Sequence, residues 1–348
     1  MKPFHPPFGL RGGHVQSILA STGPRRWRVE RRARPLVSQS CHHILHCRDR
    51  HGDEVRLDGE YTAGTGQDTL VILIHGWLGS NASPYILSAA NQLWREGHSI
   101  FRLNLRDHGN TAHLNRGLFH SARLQEVIDA VRIISERFSH RRVMLIGFSL
   151  GGNFALRIAR QAPANQLTLS RVIAVCPPID PPQTNRQLNQ GGLYHRYFVN
   201  KWRGALEAKL RHYANYNYAD TLPKLRTLDD FNAFFVPRYT EYDTVDDYLR
   251  AYSIAGDYLH GLQTDCHIIS SADDPVINRR ELQLIASSPH LTVELTQHGG
   301  HCGFICDYHF RSWVDQRIIE LIERENNRGS KAQHQTVFSE TSPCNAND

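Results

Sequence analysis

The sequence has few cysteines and no long hydrophobic run. Seven cysteines, an odd number, are spread along 348 residues, so we expect no disulfide framework and favour a reducing compartment. The apolar run from Val71 to Ile74 is far too short to cross a bilayer. The first residues lack the apolar core of a secretory signal. These absences predict a cytoplasmic protein, with peripheral membrane contact left open.

Charge of one sign does not dominate either. Hydrophobic residues make up 40% and charged residues 21% of the chain, and the formal net charge is +6, which is typical of a globular protein with a mildly basic surface. Arginines cluster between Arg25 and Arg34. We interpret this cluster as a solvated face, with anionic lipid as the main alternative. Trp27 is the single aromatic residue in this cluster, so no nucleic-acid partner is predicted.

Short apolar runs alternate with helical patterns through most of the chain. Runs that suit strands buried on both faces lie at 70–74, 100–105, 143–146, 172–175 and 267–269, and residues 291–295 alternate. Helical spacing is found at 84–94, 121–138, 152–160 and 309–323, and residues 40–62 suggest an antiparallel pair of strands. The alternation predicts an α/β fold with a mostly parallel, doubly wound sheet.

The ends and one internal segment depart from this pattern. Residues 1–37 show no sustained period and are predicted to be an N-terminal extension that packs on the core. The core is expected to comprise 38–180 and 262–326. Between them, 181–261 suggests a helical cap or lid, with helical stretches at 201–213 and 244–253; two ordinary crossover helices are the alternative. Residues 327–348 are polar and are expected to be disordered.

The segment Gly147-Phe148-Ser149-Leu150-Gly151 matches the G-x-S-x-G pattern of a nucleophile elbow. It follows a predicted strand and precedes a predicted helix, the context in which this pattern is meaningful. The turn is strained, so its neighbouring glycines provide room where a Cβ would clash. Ser149 is therefore the candidate nucleophile.

A serine hydroxyl needs a base, and the base needs an orienting carboxylate. In the fold that uses this elbow, the acid and then the histidine follow the serine in the chain. Asp273 and Asp274 follow one predicted strand, and only one of them can face the histidine; we favour Asp274, and expect the other to cap the next turn. His298 and His301 follow the last predicted strand. We favour His301, because the preceding glycine pair allows its ring to turn back.

The oxyanion of a tetrahedral intermediate needs fixed N–H donors. The amide of Leu150, next to the nucleophile, is one candidate. The other is the amide of Trp77, in the loop after the run at 70–74. We predict that His75, Gly76 and Phe148 contact the substrate.

Other clusters suggest chemistry less strongly. Cys41, His42, His43, His46 and Cys47 are metal-ligating types, but strand alternation would place them on opposite faces. His301, Cys302 and Cys306 are also residue types that bind metals, although a role as general base explains the presence of His301 better. No dinucleotide or P-loop pattern is present. We therefore predict neither metal nor cofactor.

Five ordered segments resemble those of one family. They are the Gly13-His14-Val15-Gln16-Ser17 motif, the loop from His75 to Ser80, the elbow, Asp273-Asp274-Pro275, and the stretch from His298 to Phe304. Together they resemble the YheT-like branch of α/β hydrolases, which includes the ABHD1–ABHD3-type proteins. The resemblance implies an α/β-hydrolase fold and esterase activity. Trp77 stands at a position where the family is expected to have a smaller aliphatic residue, so its bulk is expected to narrow the acyl pocket.

The sequence thus predicts a monomeric serine esterase acting on short- to medium-chain acyl esters or acylglycerols. The same three residues could instead serve an alcohol O-acyltransferase or a thioesterase. A non-catalytic binding protein on the same fold is a further alternative, which the intact serine, acid and histidine segments argue against.

Overall fold

A single eight-stranded sheet organises the computed structural model, which describes residues 4–66 and 68–323. The strands are β1 Cys41–Arg48, β2 Glu54–Thr62, β3 Thr69–Ile74, β4 Ser99–Asn104, β5 Arg142–Phe148, β6 Arg171–Val175, β7 Cys266–Ser271 and β8 Leu291–Thr296. Their order in the sheet is β1-β2-β4-β3-β5-β6-β7-β8. The first two pairings, β1 with β2 and β2 with β4, are antiparallel, and the others are parallel.

Helices cover both faces of this sheet. In β3, Leu70, Ile72 and Ile74 point into one apolar cluster, whereas Val71 and Leu73 point into the other. The helices of the core are α4 Pro84–Arg95, α5 Leu124–Arg137 and α6 Leu150–Gln161. The first cluster includes side chains of α5 and α6, and the second includes side chains of α4 and of the helix at 313–323. The predicted doubly wound α/β fold is confirmed, because burial on both faces is what the continuous apolar runs require.

The N-terminal region is helical, which the absence of a sustained period did not predict. It forms α1 Gly13–Ser21, α2 Gly23–Arg32 and α3 Arg34–Ser38. The interpretation of the arginine cluster as solvated was wrong for Arg25, whose side chain is fully buried. Its guanidinium donates to the Ala20 carbonyl at 2.7 Å and lies near the Asp315 carboxylate, because buried charges need partners.

Four helices follow β6 before the chain returns to β7. They are α7 Pro181–Asn189, α8 Gly192–His212, α9 Leu228–Tyr239 and α10 Val245–Ala251. We call residues 181–251, which lie within the segment 181–261 predicted as a cap or lid, the cap. Aromatic and aliphatic side chains of α8 and α9 form a hydrophobic cluster separate from those on the sheet faces.

Two sequence-based expectations concern the C-terminal tail and membrane-spanning segments. The tail expected to be disordered, 327–348, lies outside the described residues. Among the helices of the described residues, none combines the length and apolar character needed to span a bilayer.

Candidate active site

Ser149 sits in the tight turn between β5 and α6. Its backbone has φ 53°, a left-handed value that non-glycine residues rarely adopt. A Cβ on Gly147 would lie 2.0 Å from the Gly151 carbonyl oxygen, and one on Gly151 would lie 2.3 Å from that of Ile74. The two glycines therefore allow the backbone packing that holds the serine in this strained, projecting position.

The structure brings Ser149, His301 and Asp274 together. The Oγ of Ser149 is 2.8 Å from Nε2 of His301, and Nδ1 of His301 is 2.8 Å from Oδ2 of Asp274. These residues follow β5, β8 and β7, whose carboxyl ends share one edge of the sheet. The arrangement has the order of contacts that activates a serine hydroxyl.

The two neighbouring aspartates have distinct contacts. Asp274 also accepts, through Oδ1, the amide hydrogens of Val276 and Ile277 at 2.7 and 3.0 Å. The expectation that Asp273 caps this turn was therefore wrong. The Asp274 carboxylate has enough lone pairs to accept from His301 and also to cap the turn. Asp273 instead accepts the Gly300 amide hydrogen at 2.9 Å and faces His298 at 3.4 Å.

Two backbone N–H groups beside Ser149 are open. The amides of Trp77 and Leu150 donate to no protein group within residues 4–66 and 68–323. The neighbouring Gly76 amide is occupied, since it donates to the Tyr85 hydroxyl at 3.1 Å. A Cβ on Gly76 would lie 3.0 Å from the Ser149 Cβ, so this loop passes close to the nucleophile. Trp77 and Leu150 are thus available as donors to an oxyanion.

His75 fixes this loop from below and does not line the cavity. Its Nδ1 donates to the Gly76 carbonyl at 2.7 Å, and its Nε2 accepts the Leu105 amide hydrogen at 3.2 Å. Burial, reinforced by His108, lowers the pKa of His75 to about 3, so the ring stays neutral. Phe148 is also fully buried, against the Tyr85 ring. Of the three predicted substrate contacts, only Gly76 reaches the cavity wall.

A cavity of about 750 Å³ lies above Ser149, within the usual range for small-molecule sites. His301, Gly76 and the open amides form its floor, and the cap forms its roof. The apolar part of its wall includes Trp77, Phe198, Trp202, Leu206, Leu228, Phe235, Val276 and Ile277. The Trp77 ring packs between cap residues, with centroid distances of 5.3 Å to Phe198 and 5.2 Å to Trp202.

Sequence reasoning missed two side chains that hold the site. Tyr85 binds the Gly76 amide, and no motif marked it. Ser17 accepts the amide hydrogen of His301 at 2.7 Å; it belongs to the N-terminal motif, but nothing in the sequence placed that motif beside the histidine. Ser17 and His301 are 284 positions apart in the chain, so no local pattern reveals their contact. Tyr85 is nine positions from Gly76, but their contact depends on how the loop folds back on α4.

The structure groups the cysteines and histidines that could bind a metal differently from the clusters seen in the sequence. Within the described residues, one set of three possible ligands lies close together, namely Cys176, His301 and Cys302. Cys306 is not part of it. Both ring nitrogens of His301 already contact Ser149 and Asp274. In β1, His42 and His46 face Asp58 and Glu54 instead, so these histidines have acidic partners.

The likeness to known proteins agrees with this geometry. The model of the α/β hydrolase fold family matches residues 69–308. YheT of Escherichia coli (strain K12) is 26% identical over 329 residues, which cover 92% of each chain. Monoacylglycerol lipase ABHD2 of Danio rerio is 22% identical over 278 residues, covering 73% of this chain and 65% of that protein, just under two thirds.

Solved structures support the fold. The esterase Pf2001 of Pyrococcus furiosus superposes with a TM-score of 0.56 at 16% identity, covering 83% of this chain and 93% of that one. The resemblance found in the five ordered segments is confirmed by the match to YheT. The chain therefore belongs to the α/β-hydrolase family.

Proposed function

We propose that this protein is a serine carboxylic ester hydrolase acting on short- to medium-chain acyl esters or acylglycerols. One observation supports this most directly. The contacts from Ser149 to His301 and from His301 to Asp274 are both 2.8 Å, and Ser149 and His301 line the floor of a cavity beside two open amides.

The proposed reaction follows from these contacts. Ser149 attacks the ester carbonyl carbon while Nε2 of His301 accepts its proton. Asp274 stabilises the imidazolium, and the amides of Leu150 and Trp77 bind the oxyanion. The tetrahedral intermediate expels the alcohol, which takes the proton from His301. Water then attacks the acyl-enzyme with His301 again as base, which releases the acid and restores Ser149.

The cavity supports a substrate with a substantial apolar part. Its cap side is lined by aromatic and aliphatic side chains, whose contact with an acyl chain would remove apolar surface from water. Three large side chains among the lining residues remain partly exposed, Ile18 at 42%, Leu193 at 59% and Tyr197 at 41%. An apolar rim of this kind suits a lipid ester and peripheral contact with a lipid surface. The name monoacylglycerol lipase among the relatives agrees with this class.

The proposal is tested with purified wild type and Ser149→Ala on p-nitrophenyl butyrate. Because the three residues act as a unit, we expect turnover to fall by up to about 10⁶-fold. A fluorophosphonate probe should label the wild type and not the variant. Ser135→Ala, whose hydroxyl bonds to the Val131 carbonyl within α5, is the matched control. Unchanged turnover in Ser149→Ala would remove the nucleophile from the proposal.

Transfer of the acyl group to an alcohol uses the same acyl-enzyme. Measuring ester formation against hydrolysis at rising alcohol concentration separates the two activities. Hydrolysis that persists when alcohol is abundant supports the esterase, whereas ester formation that dominates at low alcohol concentration supports the transferase.

A further inference from the structure

The N-terminal motif Gly13–Ser17 has no part in the reaction described above, yet it lies against both loops that supply the acid and the base. A Cβ added to Gly13 would lie 2.0 Å from the Asp273 carbonyl oxygen. One added to Gly300 would lie 2.3 Å from the Gly13 carbonyl oxygen. The backbone of α1 therefore packs directly on the loops that hold Asp274 and His301, with no space for a side chain between them.

Ser17 contacts the backbone of the proposed base itself. Its Oγ accepts the amide hydrogen of His301 at 2.7 Å, and its hydroxyl donates to the Gly13 carbonyl at 2.7 Å. The second bond directs the hydroxyl hydrogen away from His301, so a lone pair faces the amide. The position of α1 thereby limits where the His301 backbone can lie.

Gln16 holds the other end of the same loop. Its side chain is fully buried. The Oε1 atom accepts the Ile305 amide hydrogen at 2.7 Å, and Nε2 donates to the Ile305 carbonyl at 3.2 Å and to the Leu10 carbonyl at 2.6 Å. One carboxamide thus satisfies both backbone groups of Ile305, as a neighbouring strand would.

The loop between these two contacts is strained. Cys302 and Phe304 have φ values of 61° and 45°, which non-glycine side chains rarely adopt. Such conformations persist only where the surroundings fix them. Without the contacts of Gln16 and Ser17, the loop could relax and move the His301 ring away from Ser149.

We infer that Gln16 and Ser17 are positioning residues, which hold the loop 299–305 so that the His301 ring reaches Ser149 and Asp274 together. The inference rests on the proposed function, since it assigns α1 to the placement of its general base. A role in folding alone would lower the amount of active protein but would leave each folded molecule with full activity.

The test is Ser17→Ala, which removes the acceptor and keeps the helix. Active sites are first counted with a fluorophosphonate, and kcat and KM for p-nitrophenyl butyrate are expressed per active site. A misplaced base should lower kcat by roughly 10- to 100-fold with little change in KM. In NMR, the low-field proton between His301 and Asp274 should shift or broaden. The control is Ser38→Ala, because this α3 serine also bonds a nearby backbone carbonyl, that of Pro35.

Wild-type kcat per active site and an unchanged proton resonance in Ser17→Ala would overturn the inference. So would an equal loss of kcat in Ser38→Ala. Gln16→Met adds a second test if it folds, with the same expected fall in kcat. The two proposals fail differently: activity that survives Ser149→Ala contradicts the esterase mechanism, whereas an inactive Ser149→Ala with a fully active Ser17→Ala contradicts only the role of α1.

Discussion

His301 experiences two opposing influences on its charge. Burial disfavours the imidazolium, but the Asp274 carboxylate at 2.8 Å more than offsets this and raises the pKa of His301 above its ordinary value. The base must be neutral to accept the proton of Ser149. Activity should therefore be lost as pH falls through the raised pKa of His301.

Asp274→Asn tests this coupling. Without the carboxylate the pKa of His301 should fall, so the acid limb of kcat/KM should move to lower pH. The plateau should drop on the order of 10⁴-fold, because the tautomer is no longer held. Asp273→Asn is the matched control, since its amide oxygen can still accept the Gly300 amide hydrogen. A shift of the acid limb in that control, and none in Asp274→Asn, would identify Asp273 as the acid.

At the residue scale, the sequence located the site but not its contacts. The order of serine, acid and histidine after successive strands was sufficient to select the segments that meet. It favoured Asp274 over Asp273 without settling the choice, because the direction of a side chain in a loop depends on backbone angles that the sequence does not give. The sequence also could not show that His75 and Phe148 lie behind the cavity wall. Each is next in the chain to a residue that lines the cavity, Gly76 or Ser149.

At the element scale, burial decides which segments could be predicted. Strands covered on both faces leave continuous apolar runs, so β3 to β7 were found. The helices α1 to α3 were not, because none is longer than ten residues and the longest, α2, carries five arginines and few apolar side chains. Much of α8 was missed for a related reason. Its partly exposed surface mixes aromatic and basic side chains, so it has no simple apolar stripe.

The loop after β3 gives a prediction about acyl length. The Trp77 ring lines the cavity and packs on Phe198 and Trp202 of α8, so its bulk fills space that a chain could occupy. Trp77→Leu should raise kcat/KM for longer p-nitrophenyl esters relative to the butyrate by roughly 10-fold or more. Trp94→Leu is the control, because that indole bonds the Ala63 carbonyl outside the cavity. An unchanged chain-length profile in Trp77→Leu would place the acyl group elsewhere.

At the scale of the whole molecule, the cap is joined to the core by a buried ion pair. Lys209 of α8 is 1% exposed, and its Nζ lies 2.7 Å from Oδ1 of Asp107 in the loop after β4. The same ammonium donates to the carbonyls of Asn115 and Gly117. Removing one member of such a pair leaves a buried charge without its partner, which costs about 3–5 kcal/mol.

Lys209→Met should therefore lower the free energy of unfolding in urea by about 3–5 kcal/mol. Asp107→Asn should also be destabilising. The double variant should lose less than the two single losses combined, because neither charge then remains alone. Arg250→Met, which breaks the exposed pair with Asp246, is the control and should cost at most about 1 kcal/mol. Additive losses in the double variant would show that the two charges are not energetically coupled and that this ion pair does not join the cap to the core.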